Sequence, residues 1–95
     1  GINVKIDINK AIKYYTLAAN QNDQYSQHLL GELYEKIDVN KAIKYYELAA
    51  KNGNLSSEIN LGILFYKGIH TTRDIPRSIY YFKLAAKKNT AVFSW

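Results

Sequence analysis

Apolar and polar residues recur along this chain at the spacing of an α-helix, and the pattern itself recurs. Aligned without gaps, the segment from Asp7 reads DINKAIKYYTLAAN, that from Asp38 reads DVNKAIKYYELAAK and that from Asp74 reads DIPRSIYYFKLAAK. Their starts lie 31 and 36 residues apart, within the period range of helical repeat arrays. A second motif falls between them, HLLGELYE from His28 and INLGILFY from Ile59. The chain therefore alternates two helix types, and one of each makes a unit.

Local chemistry predicts where the helices begin. Asp7, Asp38 and Asp74 each precede an apolar-periodic run, where a carboxylate accepts from free first-turn amides. Pro76 falls in a first turn, where its missing N–H does no harm. In the middle copy Ala42, Ile43, Tyr46, Ala49 and Ala50 share one face, with Lys44, Glu47 and Lys51 opposite. The alanine pairs Ala18-Ala19, Ala49-Ala50 and Ala85-Ala86 leave room for a neighbouring helix. Gly31 and Gly62 recur at one position of the other helix type, which implies a close contact there, since a mid-helix glycine costs about 1 kcal/mol against alanine. The spacing predicts five helices, roughly 8–20, 24–36, 39–51, 55–67 and 75–88, and a sixth from near Thr90 cut at Trp95. Short connections make consecutive helices antiparallel neighbours. The fold class is all-α: a right-handed α/α solenoid of antiparallel helix pairs, a fragment of a longer array.

Composition narrows the setting. Ninety-five residues with 47% hydrophobic content suit a folded chain of a few repeat units. No apolar run approaches the roughly 18 residues of a membrane span, and no leader-like segment is visible. Methionine is absent, so Gly1 is read as no natural start. The absence of cysteine removes disulfide frameworks and thiolate metal sites but does not fix the compartment; a cytoplasmic setting is favoured, and a lumenal or secreted one stays open. The sequon Asn54-Leu55-Ser56 matters only outside the cytoplasm. Net charge is +5, which suits an acidic partner or simply a lysine-rich composition.

At these residues the chain resembles the Sel-one-like repeat family, relatives of the tetratricopeptide repeats. Leu61-Gly62, Phe65, Gly68, Asp74, Arg77, Tyr81 and Ala85-Ala86 match that family's pattern, with Ser78 in place of its usual alanine. The opening Gly1-to-Asp7 spacing equals Gly68-to-Asp74, so the resemblance covers the whole chain as a partial repeat 1–20, full repeats 21–51 and 52–88, and the start of another at 89–95. Two departures stand out. The stretch from Gly31 to Asp38 is five residues shorter than that from Gly62 to Asp74, and serines, Ser26 and Ser57, occupy a position expected to be alanine.

The resemblance implies a non-enzymatic scaffold that binds protein or peptide partners on a concave face lined by the first helix of each unit. Counting from the Leu-Gly pairs, that face holds Tyr25, His28, Glu32, Glu35 and Lys36 in one helix, and Ser56, Ile59, Ile63, Tyr66 and Lys67 in the next. Ile59, Ile63 and Tyr66 form an apolar stripe of their own, which suits a groove or equally packing against flanking helices; Phe93 extends it. The tyrosine pairs Tyr14-Tyr15, Tyr45-Tyr46 and Tyr80-Tyr81 suggest stacking platforms for single strands, but their place in the repeat favours core packing. His28 reads as a plain surface or groove residue. The second helices carry a net +8 against −1 on the first, a phosphate-binding wall or a solvated lysine face.

Enzymatic constellations are nearly missing: two histidines, His28 and His70, no cysteine, no clustered carboxylates at metal spacing and no phosphate-cradling glycine loop. No enzyme activity, cofactor, metal or small-molecule substrate is expected. Three functions stay in play: an adaptor for partner proteins, nucleic-acid or acidic-surface binding through the lysine wall, and a structural spacer. Both ends of the array expose apolar faces that neighbouring units would cover, so self-association is expected.

Overall fold

The computed structural model describes the backbone of residues 7–93 and the side chains of residues 7–88. Within them lie α1 (Ile8–Asn20), α2 (Gln24–Glu35), α3 (Val39–Lys51), α4 (Leu55–Lys67) and α5 (Ile75–Phe93), with no strand. Each helix packs on its sequence neighbours, and α2 also touches α4. This is an α/α solenoid: α2 and α4 are first helices of their units, and α1, α3 and α5 are second helices. The opening loop from Gly1 and the side chain of Phe93 lie outside the described residues.

The first four helices match the predicted spans to within one residue. The fifth does not: α5 runs unbroken to Phe93, so the separate helix expected from near Thr90 does not form within the described residues. Asn89 and Thr90 stand where Asn22-Asp23 and Gly53-Asn54 make the two earlier turns. In those turns a positive-φ residue, Asn22 or Gly53, swings the chain onto a helix that packs back on the preceding unit. Asn89 tolerates helical backbone, and no following helix among the described residues stabilises a corner there.

Helix starts follow the predicted chemistry. The Asp7, Asp38 and Asp74 carboxylates accept from the N–H groups of Lys10, Lys41 and Arg77 at 3.1, 3.2 and 3.1 Å. Asp23 and Asn54 cap α2 and α4. The predicted face of α3 is the core: Ala42, Ile43, Tyr46, Ala49 and Ala50 are buried, together with Leu61 and Phe65 of α4.

One packing unit occurs twice. Tyr34 of α2 stacks on Tyr45 of α3 (centroids 5.7 Å apart), with the Lys41 ammonium 4.9 Å from the Tyr34 centroid. Phe65 of α4 stacks on Tyr81 of α5 (6.2 Å), with the Arg77 guanidinium 5.4 Å from the Phe65 centroid. The next residues, Tyr46 and Phe82, lay their rings over Gly31 and Gly62. A β-carbon at Gly31 would overlap the Tyr46 ring, and one at Gly62 would lie 2.7 Å from the Phe82 ring. The glycines are therefore seats for aromatic rings, and the aromatic pair of the third copy is Tyr81-Phe82 rather than Tyr80-Tyr81. Tyr80, aligned with Lys44, faces solvent.

The two hairpins close on equivalent bonds, Asp38 N–H to Tyr34 C=O (2.6 Å) and Asp74 N–H to Phe65 C=O (2.9 Å). The five additional residues of the second hairpin thus form an excursion from the same closure. It leaves α4 through Gly68 in the left-handed conformation and turns again at His70, whose φ is 65°.

Candidate functional site

The expected partner-binding residues separate into two groups. Tyr25, Glu32, Glu35, Lys36, Ser56, Ile63, Tyr66 and Lys67 are exposed and Ile59 is half-buried. His28 departs from its reading as a plain surface or groove residue. Its ring is half-buried between two first helices, with Nδ1 2.8 Å from the Ser57 hydroxyl of α4 and Nε2 3.1 Å from Glu32 Oε1. It also leans on the Tyr46 ring, centroids 5.6 Å apart. His28 ties α2 to α4, which explains why a serine replaces the expected alanine at position 57. Ser78, likewise in an alanine position, donates to the Gly62 carbonyl at 2.7 Å. Each serine satisfies its hydroxyl across a helix contact, as burial requires.

Ser57, His28 and Glu32 stand in the order of a hydrolytic triad. The arrangement offers no nucleophile to a substrate. Ser57 is fully buried, and its amide is committed to the Asn54 side chain at 2.9 Å. No group of three or more metal-ligating side chains occurs among the described residues, and no helix there is long and apolar enough to cross a membrane.

Five of these exposed residues, Glu32, Glu35, Lys36, Ile63 and Lys67, line a groove at the hairpin end of the molecule; Tyr25, Ser56 and Tyr66 do not. Because the first hairpin turns tightly and the second makes its excursion, Ile37 and Val39 face His70 across a hollow of about 580 Å³, with Glu35 and Lys36 at its edge. A second hollow of about 190 Å³ shares Glu35, Val39 and His70 and adds Ile63, Lys67 and Ile69. A third, about 340 Å³, shares Lys36 and Ile37 and runs to Ile8 and Leu33. Three hollows in series make one groove crossing from the first-turn end of α1 to the loop after α4. Its apolar walls are open to solvent: Ile37 is 66% and Ile69 54% exposed.

Charge around the groove is uneven. The Glu35 carboxylate accepts from the Tyr46 hydroxyl at 2.7 Å, and Glu32 is engaged by His28. Burial holds the Tyr46 hydroxyl well above its ordinary titration range, and the Glu35 bond and charge add to this, so it stays a donor. Lys36 and Lys67 make no ion pair among the described residues. Arg73, from the excursion, lies 5.4 Å from the Tyr66 ring centroid.

Of the groove, Glu32, Glu35, Lys36, Ile63 and Lys67 are among the expected residues, whereas Ile8, Leu33, Ile37, Val39, Leu64, Ile69 and His70 are not. The five-residue difference in hairpin length was the available signal. The core reading of the tyrosines holds for Tyr46, Tyr45 and Tyr81, the last two through ring stacking. Burial, then the Glu47 charge, raises the Tyr81 hydroxyl pKa. It fails for Tyr14 and Tyr80, which are 61% and 58% exposed. The lysine wall also loses a member. Lys88 turns inward, donating to Glu58 Oε2 at 2.8 Å and to the Gly53 carbonyl at 2.7 Å.

Compared with known families, a family model described as Sel1 repeat matches three consecutive stretches of the chain, residues 1–23, 24–54 and 55–90. No curated protein matches it.

Proposed function

The chain belongs to the Sel1 repeat family, whose repeats are non-catalytic scaffold units that mediate protein–protein interaction, and from that premise we propose that it holds a partner protein on the side built by α2, α4 and the hairpin loops. The observation that carries this reading is the division of labour within the first helices. Ser57, Leu61 and Phe65 are buried and join the units, while Ile63 and Lys67 of the same helix line an open groove and Tyr66 stays exposed. Exposed apolar side chains gathered round a concavity are the usual mark of a binding surface. The partner-facing set is Tyr25, Glu32, Glu35, Lys36, Ile59, Ile63, Tyr66 and Lys67; His28 contributes by fixing α2 against α4.

Panning a random dodecapeptide library against the chain tests this. Selected peptides are expected to bind the parent chain and to lose more than about tenfold in affinity on the doubly substituted chain I63D/Y66S, as removal of a central apolar contact does. Circular dichroism should show unchanged helix content, since both side chains are exposed. A polyuridylate titration is run beside it. Binding to RNA that survives physiological salt, with no peptide enriched, would replace this reading with recognition through the lysines of α1, α3 and α5, because phosphate-driven binding otherwise falls steeply with salt. Enrichment of neither ligand would leave the units as spacers.

A further inference from the structure

Gly53 is the only one of the chain's five glycines that follows an asparagine. In that dipeptide the Gly53 nitrogen, with no β-carbon beside it to hinder approach, can attack Cγ of Asn52. The new C–N bond closes a succinimide ring. The proton of the Gly53 N–H, relayed by solvent, leaves with Asn52 Nδ2 as ammonia. Water then opens the ring to an aspartyl or an isoaspartyl residue at position 52. We infer that Asn52 is a spontaneous deamidation site which the fold keeps silent, and that its use during an opening prevents the joint between α2 and the end of α3 from re-forming.

Two sets of bonds silence it. The peptide unit between Asn52 and Gly53 is pinned on both sides: its C=O accepts from Gln24 Nε2 at 2.9 Å and its N–H donates to the Ala50 carbonyl at 2.9 Å. Bringing that nitrogen onto Cγ rotates the peptide unit and breaks both bonds. Asn52 Nδ2, the leaving group, is held by Gln27 Oε1 at 2.9 Å and by Asn22 Oδ1 at 2.8 Å. These two partners also determine what the reaction destroys. Both are acceptors, so position 52 has to donate, as Lys88 does at the aligned place in the next unit. A carboxylate cannot. Gln27 is buried and its Nε2 is already given to the Ala19 carbonyl at 3.2 Å. Turning its amide to serve the carboxylate would set Gln27 Oε1 against that carbonyl, at the cost of a buried hydrogen bond. The isoaspartyl product also lengthens the backbone of the turn.

The test ages the chain in mildly alkaline buffer, folded and in guanidinium chloride, and follows each asparagine by peptide mass spectrometry. In denaturant, position 52 should convert ahead of the other asparagines. In the folded chain it should convert more than about tenfold more slowly, because the reaction waits for local opening. Equal rates in the two conditions, or another asparagine leading in denaturant, would overturn the site. Chain aged in denaturant and then refolded should show a lower urea midpoint than fresh chain. G53N is the control. Asn22 occupies the aligned place with a φ of 65°, asparagine tolerates that backbone, and a β-carbon on Gly53 meets nothing within 4 Å. Aged G53N should refold with its own fresh midpoint; a loss equal to that of the aged parent chain would place the damage elsewhere. N52D, made directly, should lower the midpoint without ageing. If N52D and the aged chain both match the fresh parent, the joint accepts a carboxylate and the inference fails.

Discussion

Gly31 and Gly62 occupy the same place in their units, yet they are not equally constrained. The Tyr46 ring over Gly31 is fully buried, held by its hydroxyl bond to Glu35 and wedged among Ala42, Ile43 and Leu61. The Phe82 ring over Gly62 is partly exposed and has somewhere to go. G31A should therefore destabilise by about 2–3 kcal/mol despite the helix propensity it gains, and G62A by less than about 1 kcal/mol; equal urea midpoints for the two variants would contradict this packing. Tyr46 itself predicts an alkaline limit. Its hydroxyl pKa is raised in the folded chain, so above about pH 10 the unfolded chain releases a proton that the folded one keeps, and stability falls with pH by up to about 1.4 kcal/mol per unit. Below pH 10 both states hold that proton and the term is flat. Y46F should cost about 1–2 kcal/mol at pH 7 through the lost bond and flatten the decline above pH 10 in urea titrations. The recurrence of both glycines announced a close contact in the sequence. Which ring fills each seat was also legible, because the gap-free alignment pairs Tyr46 with Phe82. Adjacency of two tyrosines alone points to Tyr80-Tyr81 instead.

Between helices, the two joints that hold a first helix to the end of the second helix that follows it use the same positions with different chemistry. At the first, Asn52 Nδ2 donates to Gln27 Oε1 at 2.9 Å and to Asn22 Oδ1 at 2.8 Å, while Gln27 Nε2 donates to the Ala19 carbonyl at 3.2 Å. At the second, the aligned residues are Glu58 and Lys88, joined at 2.8 Å, with Lys88 also reaching the Gly53 carbonyl. Glu58 has no side-chain nitrogen to give, and its Oε1 is buried without a hydrogen-bond partner among the described residues. A charge buried this way depends on its counter-ion. K88M should therefore cost about 1–3 kcal/mol, at the lower end of buried-pair losses because the Lys88 side chain is 39% exposed. The double variant E58Q/K88N rebuilds the amide pair of the first joint and should recover most of that loss. Chemical denaturation of the parent and both variants decides it, and a double variant no better than K88M would show that the joints are not equivalent. Helix starts, caps and core faces were readable here, since each rests on residues close in sequence. The joint was not, because a net-charge count treats Lys88 as one more surface lysine and contains nothing of the buried carboxylate opposite. The end of α5 was missed for the reverse reason: turn residues were present, but a turn also needs a helix to fold back onto.

For the molecule as a whole, the proposed partner side and the lysine side are set apart by the alternation of helix types. Lys10, Lys13, Lys41, Lys44, Lys51, Lys83 and Lys87 stand exposed on second helices, and the groove lies with the first helices and the loops. Apolar exposure on the end helices, Leu17 and Tyr14 on α1 and Ile79 and Tyr80 on α5, carries the expectation of self-association. Both are second helices, so end-to-end stacking brings two like helices together without the glycine seat that a first helix supplies. The association should accordingly be weak and concentration-dependent in sedimentation velocity, and a monomer at every concentration would argue against it. The repeat pattern made the solenoid and the alternation of its two helix types legible. It left the groove obscure, because the groove arises where a short hairpin and a long one stand side by side, a relation between units that no single unit contains. The most direct test of the account is a ¹⁵N–¹H titration of the labelled chain with the tightest selected peptide. Amide shifts should concentrate at Lys36, Ile37, Val39, Ile63, Lys67, Ile69 and His70; shifts confined to the lysine-bearing residues of α1, α3 and α5 would contradict it.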